Sequence, residues 1–312
     1  MTKNFFANNH TANKRLLWQS GLAILILIVI FACGYWRHVA KKTVSLPTDG
    51  DTRIKNFTYV PHPDWLALEP QLKARSIIVA NLDTKEVYYS RHPDVLVNIA
   101  SLSKLMTAMV TLDNLNQNAI LTVSSRAVNT YGNGDYLQIG EKFTVKDLLG
   151  DLLVFSSNDA AVALSEGMGY NRFIGLMNRK AKEIGLTDTA FFDATGLDER
   201  GNFSNASDLL NMVDYIYRNY PLIGIISRLP SLSFKAVDGI QHNVKNTDAL
   251  IDKISGLWLS KTGTTDNAGE CLILVYRLNN GQTVASIVLG STDRVSDSWI
   301  IFNQFKKAGL TI

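Results

Sequence analysis

The period of the hydrophobic pattern changes twice along this chain, and nothing else in the sequence restricts its architecture as much. Ser76-Ile77-Ile78-Val79-Ala80 and Glu86-Val87-Tyr88-Tyr89 read as the arms of a hairpin that turns at Asp83-Thr84-Lys85. From Ser101 the spacing lengthens. Leu102, Leu105, Met106, Met109 and Leu112 fall on one helical stripe, and helical spacing recurs in 145–153, 159–167, 171–184 and 207–217. Strand signals then return. Leu257-Trp258-Leu259-Ser260 is a short apolar run, and 271–277 with 283–289 form a hairpin around Asn279-Asn280-Gly281. Residues 296–307 close the chain as a helix, with Trp299, Ile300, Phe302 and Phe305 available for packing. Two strands, a helical middle, three strands and a helix predict a mixed α/β fold. The expected sheet is five-stranded and antiparallel, flanked by helices, with an all-helical lobe of about residues 101–235 inserted into it. A cleft between lobe and sheet is the natural place for chemistry. Of the 312 residues 46% are apolar and 19% charged, which supports a sizeable core and excludes a disordered or collagen-like chain.

The formal charge of +3 hides an asymmetry. Residues 1–48 hold six of the 31 basic residues and none of the 28 acidic ones, leaving 25 basic against 28 acidic, a net of −3. A net-acidic body argues against nucleic acid as a partner, since phosphate neutralisation needs concentrated basic surface. Residues 16–36 are 21 in a row without a charge, about 30 Å of helix and one hydrocarbon core. Trp18, Tyr35 and Trp36 sit near its ends, where amphipathic rings prefer the interface. The reading is a cytoplasmic n-region at 1–15 and a transmembrane anchor at 16–36. The alternative is a cleaved signal, with Ala32-Cys33-Gly34 as its processing site. Either way the remainder crosses a membrane. Residues 37–71 read as an extracytoplasmic linker carrying Pro47, Pro61, Pro63 and Pro70, and 72–312 as the folded body. Asp49-Gly50-Asp51 reads as a turn, because no ligand-spaced acids follow it. Cys33 and Cys271 make no disulfide framework.

Familiar catalytic patterns are missing. No Ser is flanked by Gly at both second positions, no His-Glu-x-x-His occurs, and the five His lack metal spacing, so no metal or cofactor is expected. Gly132-Asn133-Gly134 lacks the strand–helix context of a phosphate loop. What remains is Ser101-Leu102-Ser103-Lys104 at the start of the amphipathic helix, where a hydroxyl and an amine three residues apart can converge. Alone this is weak. Ser156-Ser157-Asn158 follows at a break between helical segments, and Lys261-Thr262-Gly263 at the end of the short strand from Leu257.

In order and spacing these three motifs resemble those of penicillin-recognising serine D,D-peptidases, specifically the low-molecular-mass D-alanyl-D-alanine carboxypeptidase and endopeptidase group. Supporting stretches are Ala100 to Thr107, Ser157-Asn158-Asp159-Ala160-Ala161, Thr195-Gly196-Leu197-Asp198 and Ala268-Gly269-Glu270-Cys271-Leu272. The likeness covers about residues 72–305. Ile99 stands where the family usually has Pro, and no C-terminal β-domain follows Ile312, a shortness most like the compact endopeptidase-type members. Thr247 stands where some carboxypeptidases place an Arg for a terminal carboxylate, which weakly favours an internal cross-link as substrate.

The resemblance implies a β-lactamase/D,D-peptidase-like fold and a body outside the bacterial cytoplasmic membrane. It implies peptidoglycan peptides and β-lactams as partners, with hydrolysis through an acyl-enzyme. Ser101 would be the nucleophile and Lys104 its base. Ser156, bridging Lys104 and Lys261, would return a proton to the leaving amine. Asn158 would hold the substrate amide and orient Lys104. Lys261, Thr262, Gly263 and Thr264 would bind substrate, and the N–H groups of Ser101 and Thr264 would form the oxyanion hole. A lysine base must be neutral, and bringing it from about 10.4 to near 7 requires roughly 4 kcal/mol. Burial and the like charge of Lys261 both push that way. Alternatives are a β-lactamase, although Glu183-Ile184-Gly185-Leu186-Thr187 lacks the Asn of the deacylating motif, and a catalytically silent cell-wall-binding protein.

Overall fold

The computed structural model of this chain describes residues 57–60, 63–132, 136–199 and 201–308. At its centre lie the strands β1 (Thr58–Tyr59), β2 (Ser76–Asn81), β3 (Glu86–Arg91), β4 (Leu257–Thr265), β5 (Gly269–Arg277) and β6 (Thr283–Ser291), in the spatial order β1-β3-β2-β6-β5-β4. Every pairing is antiparallel except β1 with β3, which run parallel.

The inner strands read as continuous apolar runs because both faces of the sheet are covered. Ile78 and Ala80 of β2, Ile273 and Val275 of β5 and Ala285 and Ile287 of β6 point into the core shared with the helical lobe. Their neighbours Ile77, Val79, Leu272, Leu274, Val284 and Val288 point into a second core. That second core is closed by the C-terminal helix (Arg294–Lys307) and by Trp65, whose ring stacks on Tyr88 and meets Phe305 edge-on.

The lobe is built on α1 (Lys104–Asn114), α2 (Val145–Val154), α3 (Asn158–Glu166), α4 (Tyr170–Glu183), α5 (Ala206–Asn219) and α6 (Pro221–Ser227). The helix Arg294–Lys307 is α7. α1 is the axis of the lobe: every residue from Lys104 to Thr111 is buried. Side-chain caps start the other site-bearing helices, Thr144 accepting from Asp147 N at 3.1 Å for α2 and Ser157 from Ala160 N at 3.1 Å for α3.

Three expectations change. The sheet has six strands, not five, because β1 is two residues long among prolines and carries no period to read. The segment 37–71 is not all linker: Phe57, Trp65 and Leu68 are buried against the body. The lobe is not all-helical. It holds the ribbons Ile120–Thr122 with Lys142–Thr144, Ser231–Lys235 with Gln241–Lys245, and Val97–Asn98 with Phe203–Ser204, pieces too short to outweigh the surrounding helical spacing. The span at 16–36 lies outside the described residues; among those described, no helix is long and apolar enough to cross a membrane.

Candidate active site

Ser101 lies in a turn of 3₁₀ helix, Ala100–Ser103, that leads directly into α1, so Lys104 follows it by one turn on a fixed scaffold. Ala100 holds a left-handed φ of +47°. The loop at 193–198 keeps it there. Asp193 Oδ1 accepts from Thr195 N at 2.6 Å, Thr195 Oγ1 at 2.9 Å and Gly196 N at 2.6 Å. Thr107 Oγ1 ties that loop to α1 through the Ala194 carbonyl at 2.7 Å. Gly196, at φ +91°, passes so close that a Cβ there would stand 1.9 Å from the Ala100 carbonyl oxygen.

The second motif forms where α2 stops. Ser156 adopts a left-handed φ of +66°, which turns the chain out of α2, and Ser157 restarts it as the cap of α3. Asn158 thereby opens α3 with its amide against Lys104. The third motif lies on β4, where Gly263 pairs with Cys271 of β5. A Cβ on Gly263 would meet Ala100 Cβ, Ile99 O and Ser101 N at 3.1 Å each. The absent side chain is what lets the strand lie against the serine turn.

All three motifs meet in one cleft of about 630 Å³, with Ser101, Ser156, Asn158, Thr262, Gly263 and Thr264 in its wall. Lys104 is fully buried and its Nζ lies 2.7 Å from Ser101 Oγ, 2.7 Å from Asn158 Oδ1 and 2.9 Å from the Thr195 carbonyl. Asn158 is oriented independently, because its Nδ2 donates to the Tyr131 carbonyl at 2.8 Å. Two of the three partners of Lys104 are therefore carbonyl oxygens that only accept. A neutral amine has two N–H bonds and one lone pair. As an ammonium Lys104 donates to all three partners; once neutral, it can give its two hydrogens to the carbonyls and turn its lone pair to the Ser101 hydroxyl.

Lys104 is lowered from its ordinary 10.5 to about 7 by burial, against the pull of Asp193 and Asp151 in the other direction. Lys261 is likewise pushed well below the ordinary lysine value, by burial first and then by the like charges of Lys104 and Arg294. Lys261 Nζ donates to Ser156 Oγ at 2.8 Å and to the Thr262 carbonyl at 2.9 Å. Ser156 thus joins Lys261 but not Lys104: among the hydrogen bonds of the described residues the expected bridge has only its Lys261 half. Thr262 Oγ1 shares a 2.5 Å hydrogen bond with Thr247 Oγ1. Thr264 is exposed at the rim, its hydroxyl accepting a close hydrogen bond from Arg294 Nη1, which also donates to the Gly263 carbonyl at 2.9 Å.

Sequence reasoning missed Asp193, the Thr195 carbonyl and Arg294. Asp193-Ala194-Thr195-Gly196 has the form of an Asx turn, an available signal. Arg294 opens α7, where the dipole disfavours a cation, so some other demand places it there. Among the described residues no group of His, Cys, Asp and Glu side chains has the arrangement of a metal site.

Fold and site together define a serine hydrolase whose hydroxyl is paired with lysine in place of histidine. The D-alanyl-D-alanine carboxypeptidase family matches residues 65–293. The D-alanyl-D-alanine endopeptidase of Escherichia coli is 35% identical over 229 residues, covering 72% of this chain and 73% of the relative. A variant of a Streptomyces DD-transpeptidase has a similar solved structure, with a TM-score of 0.70 at 30% identity over 74% of this chain and 97% of that one. A penicillin-binding protein from Listeria monocytogenes in its ampicillin-bound form gives 0.64 at 28%, over 75% and 95%. The chain belongs to the D-alanyl-D-alanine carboxypeptidase family.

Proposed function

We propose that this protein hydrolyses the D-alanyl peptide bond of peptidoglycan stem peptides, and is acylated by penicillins, through an ester on Ser101. The observation that carries the proposal is the placement of buried Lys104, lowered to about 7, with its Nζ 2.7 Å from Ser101 Oγ and its other two partners carbonyl oxygens. Ser101 Oγ bonds to the donor carbonyl carbon while its proton passes to Lys104. The oxyanion that forms faces the backbone N–H groups of Ser101, in the first turn before α1, and of Thr264. As the C–N bond breaks, Ser156 gives its hydroxyl proton to the leaving amine and is refilled from Lys261, its hydrogen-bond partner. Water then attacks the ester carbon and gives a proton through Ser156 back to Lys261, while Lys104 returns its proton to Ser101 Oγ as the ester C–O bond breaks, freeing the carboxylic acid and restoring both lysines. Asn158 holds the donor amide.

Arg294 bears on which end of the peptide is cut. Its guanidinium lines the cleft and, among the described residues, is ion-paired with no carboxylate. It offers a terminal carboxylate the cation that Thr247 cannot. This supports carboxypeptidase action and offsets the inference from Thr247 toward an internal cross-link. A β-lactamase reading finds no support in Glu183, which pairs with Lys180 on the surface of α4. With residues 16–36 as an anchor, the body would work on the outer side of the bacterial cytoplasmic membrane.

Incubation with a pentapeptide and with a cross-linked dimer, followed by product separation, tests the reading. Release of D-alanine or cleavage of the dimer is expected from the wild type and from neither with Ser101→Ala. Ser101→Ala also abolishes covalent labelling by a fluorescent penicillin; retained labelling removes Ser101 as the nucleophile.

A further inference from the structure

Tyr131 is 82% exposed, more than any other large apolar side chain among the described residues, and it lines the cleft. A ring this open gains nothing from the core, yet its backbone is firmly held. Asn158 Nδ2 donates to the Tyr131 carbonyl at 2.8 Å. Next to it Gly132, at φ +102°, lies so near that a Cβ there would stand 2.6 Å from Asn158 Nδ2 and 3.8 Å from Leu197 Cδ2. Further along, the Tyr136 hydroxyl donates to the buried Asp151 carboxylate, and the Asp151 carbonyl accepts from Ser157 N at 3.4 Å. Both ties run to the segment that carries Ser156 and Asn158. The wall of the cleft is mixed: Tyr131 and Leu197 add apolar surface near Asn158, while Thr262, Thr264, Arg294 and the carboxylates of Asp198, Glu199 and Asp266 make the rest polar and charged.

We infer that Tyr131 is a specificity-determining residue whose ring packs against an apolar side chain on the acyl side of the carbonyl that Ser101 attacks. The inference rests on the proposed function, in which Asn158 holds the donor amide. Asn158 Nδ2 carries two hydrogens; Tyr131 O takes one, and the other is free for the amide carbonyl of the donor. A group attached to that amide therefore lies beside Tyr131. The chemical class that fits is an acyl donor with an amide followed by an aliphatic or aromatic group, because a ring face gains from apolar contact and from stacking. A merely structural Tyr131 would act through its carbonyl, which any residue supplies.

The test uses the full chain and two penicillins that share the amide and differ beyond it, one phenylacetylated and one acetylated. Tyr131→Ala is expected to slow acylation by the phenylacetyl compound about tenfold, equivalent to ~1.4 kcal/mol, and acetyl-penicillin acylation by less than about twofold. Tyr131→Phe restores the phenylacetyl rate, since the ring and not the hydroxyl makes the contact. Equal losses with both compounds would reduce Tyr131 to a support for Asn158, and no loss with either would remove the contact altogether. Failure of Tyr131→Phe to rescue also overturns the inference. A wild type acylated by neither compound refutes the serine reading itself, a result separable from all of these because it precedes any change at Tyr131.

Discussion

Acylation depends on one proton, and pH moves that proton in a direction the structure fixes. Lys104 acts only when neutral, and burial sets it at about 7. The neutral fraction is then about 90% at pH 8, one half at pH 7 and roughly 1% at pH 5, so the second-order rate constant for labelling should fall about a hundredfold from pH 8 to pH 5. Labelling time courses with a fluorescent penicillin across that range, with circular dichroism at each pH to confirm the fold, read the limb directly. Asp193→Asn sharpens the assignment. Asn keeps an oxygen for Thr195 N, Thr195 Oγ1 and Gly196 N, so the loop is retained, but the charge that raises Lys104 is gone. The limb should move to lower pH. A rate independent of pH between 5 and 8, a limb near 10, or a shift to higher pH in Asp193→Asn would refute the reasoning.

The same group has a thermodynamic signature. Its folded value lies below its unfolded one, so between pH 7 and 10.5 the unfolded chain holds a proton the folded chain lacks, and this contribution to stability rises with pH. Lys104→Met removes it, and should gain on the wild type by about 4 kcal/mol as pH falls from 10.5 to 7, measured by urea unfolding; a gap independent of pH would contradict the burial argument. Gly263→Ala puts a methyl 3.1 Å from Ile99 O and Ser101 N, and should cut the acylation rate by about 10²-fold through displacement of the serine, with the melting temperature reporting whether the fold survives. Gly196→Ala combines a 1.9 Å clash with backbone at φ +91°, and should destabilise by at least about 3 kcal/mol in the same unfolding assay.

The sheet was legible where apolar runs were long. β2, β5 and β6 pack on both faces, so their patterns are continuous and hard to mistake. The ribbon at Gln241–Lys245 does alternate exposed and buried, but one of its two buried positions is His242, whose Nε2 meets Glu141 Oε1 at 3.0 Å. A buried polar pair reads as surface in a sequence. The site residues were legible as types at a spacing, because Ser, Lys and Asn carry their chemistry in their side chains. The Thr195 and Tyr131 carbonyls were not, since every residue has one. Arg294 was hidden by distance, lying 31 residues from Gly263 in sequence and one hydrogen bond from it in space.

Strain gathers at the same place as the chemistry. Of the four non-glycine residues with left-handed φ among those described, Ala100 and Ser156 flank the reacting groups, and the Gly196 loop presses on the first of them. Such conformations cost of order 1–3 kcal/mol each and persist only where packing leaves no alternative. Here the constraint comes from opposite sides: β4 lies against the serine turn through Gly263, while the Asp193–Gly196 loop, bonded to α1, closes it from the lobe. The serine is therefore placed by both layers at once. Its base owes its reactivity to the same burial, because a lysine sealed beneath that junction cannot reach water to keep its proton. Loosening either wall should thus damage two properties together, the position of the hydroxyl and the basicity of the amine beside it. This is why Gly263 and Gly196, which carry no functional group, belong with Ser101 and Lys104 in any account of the reaction.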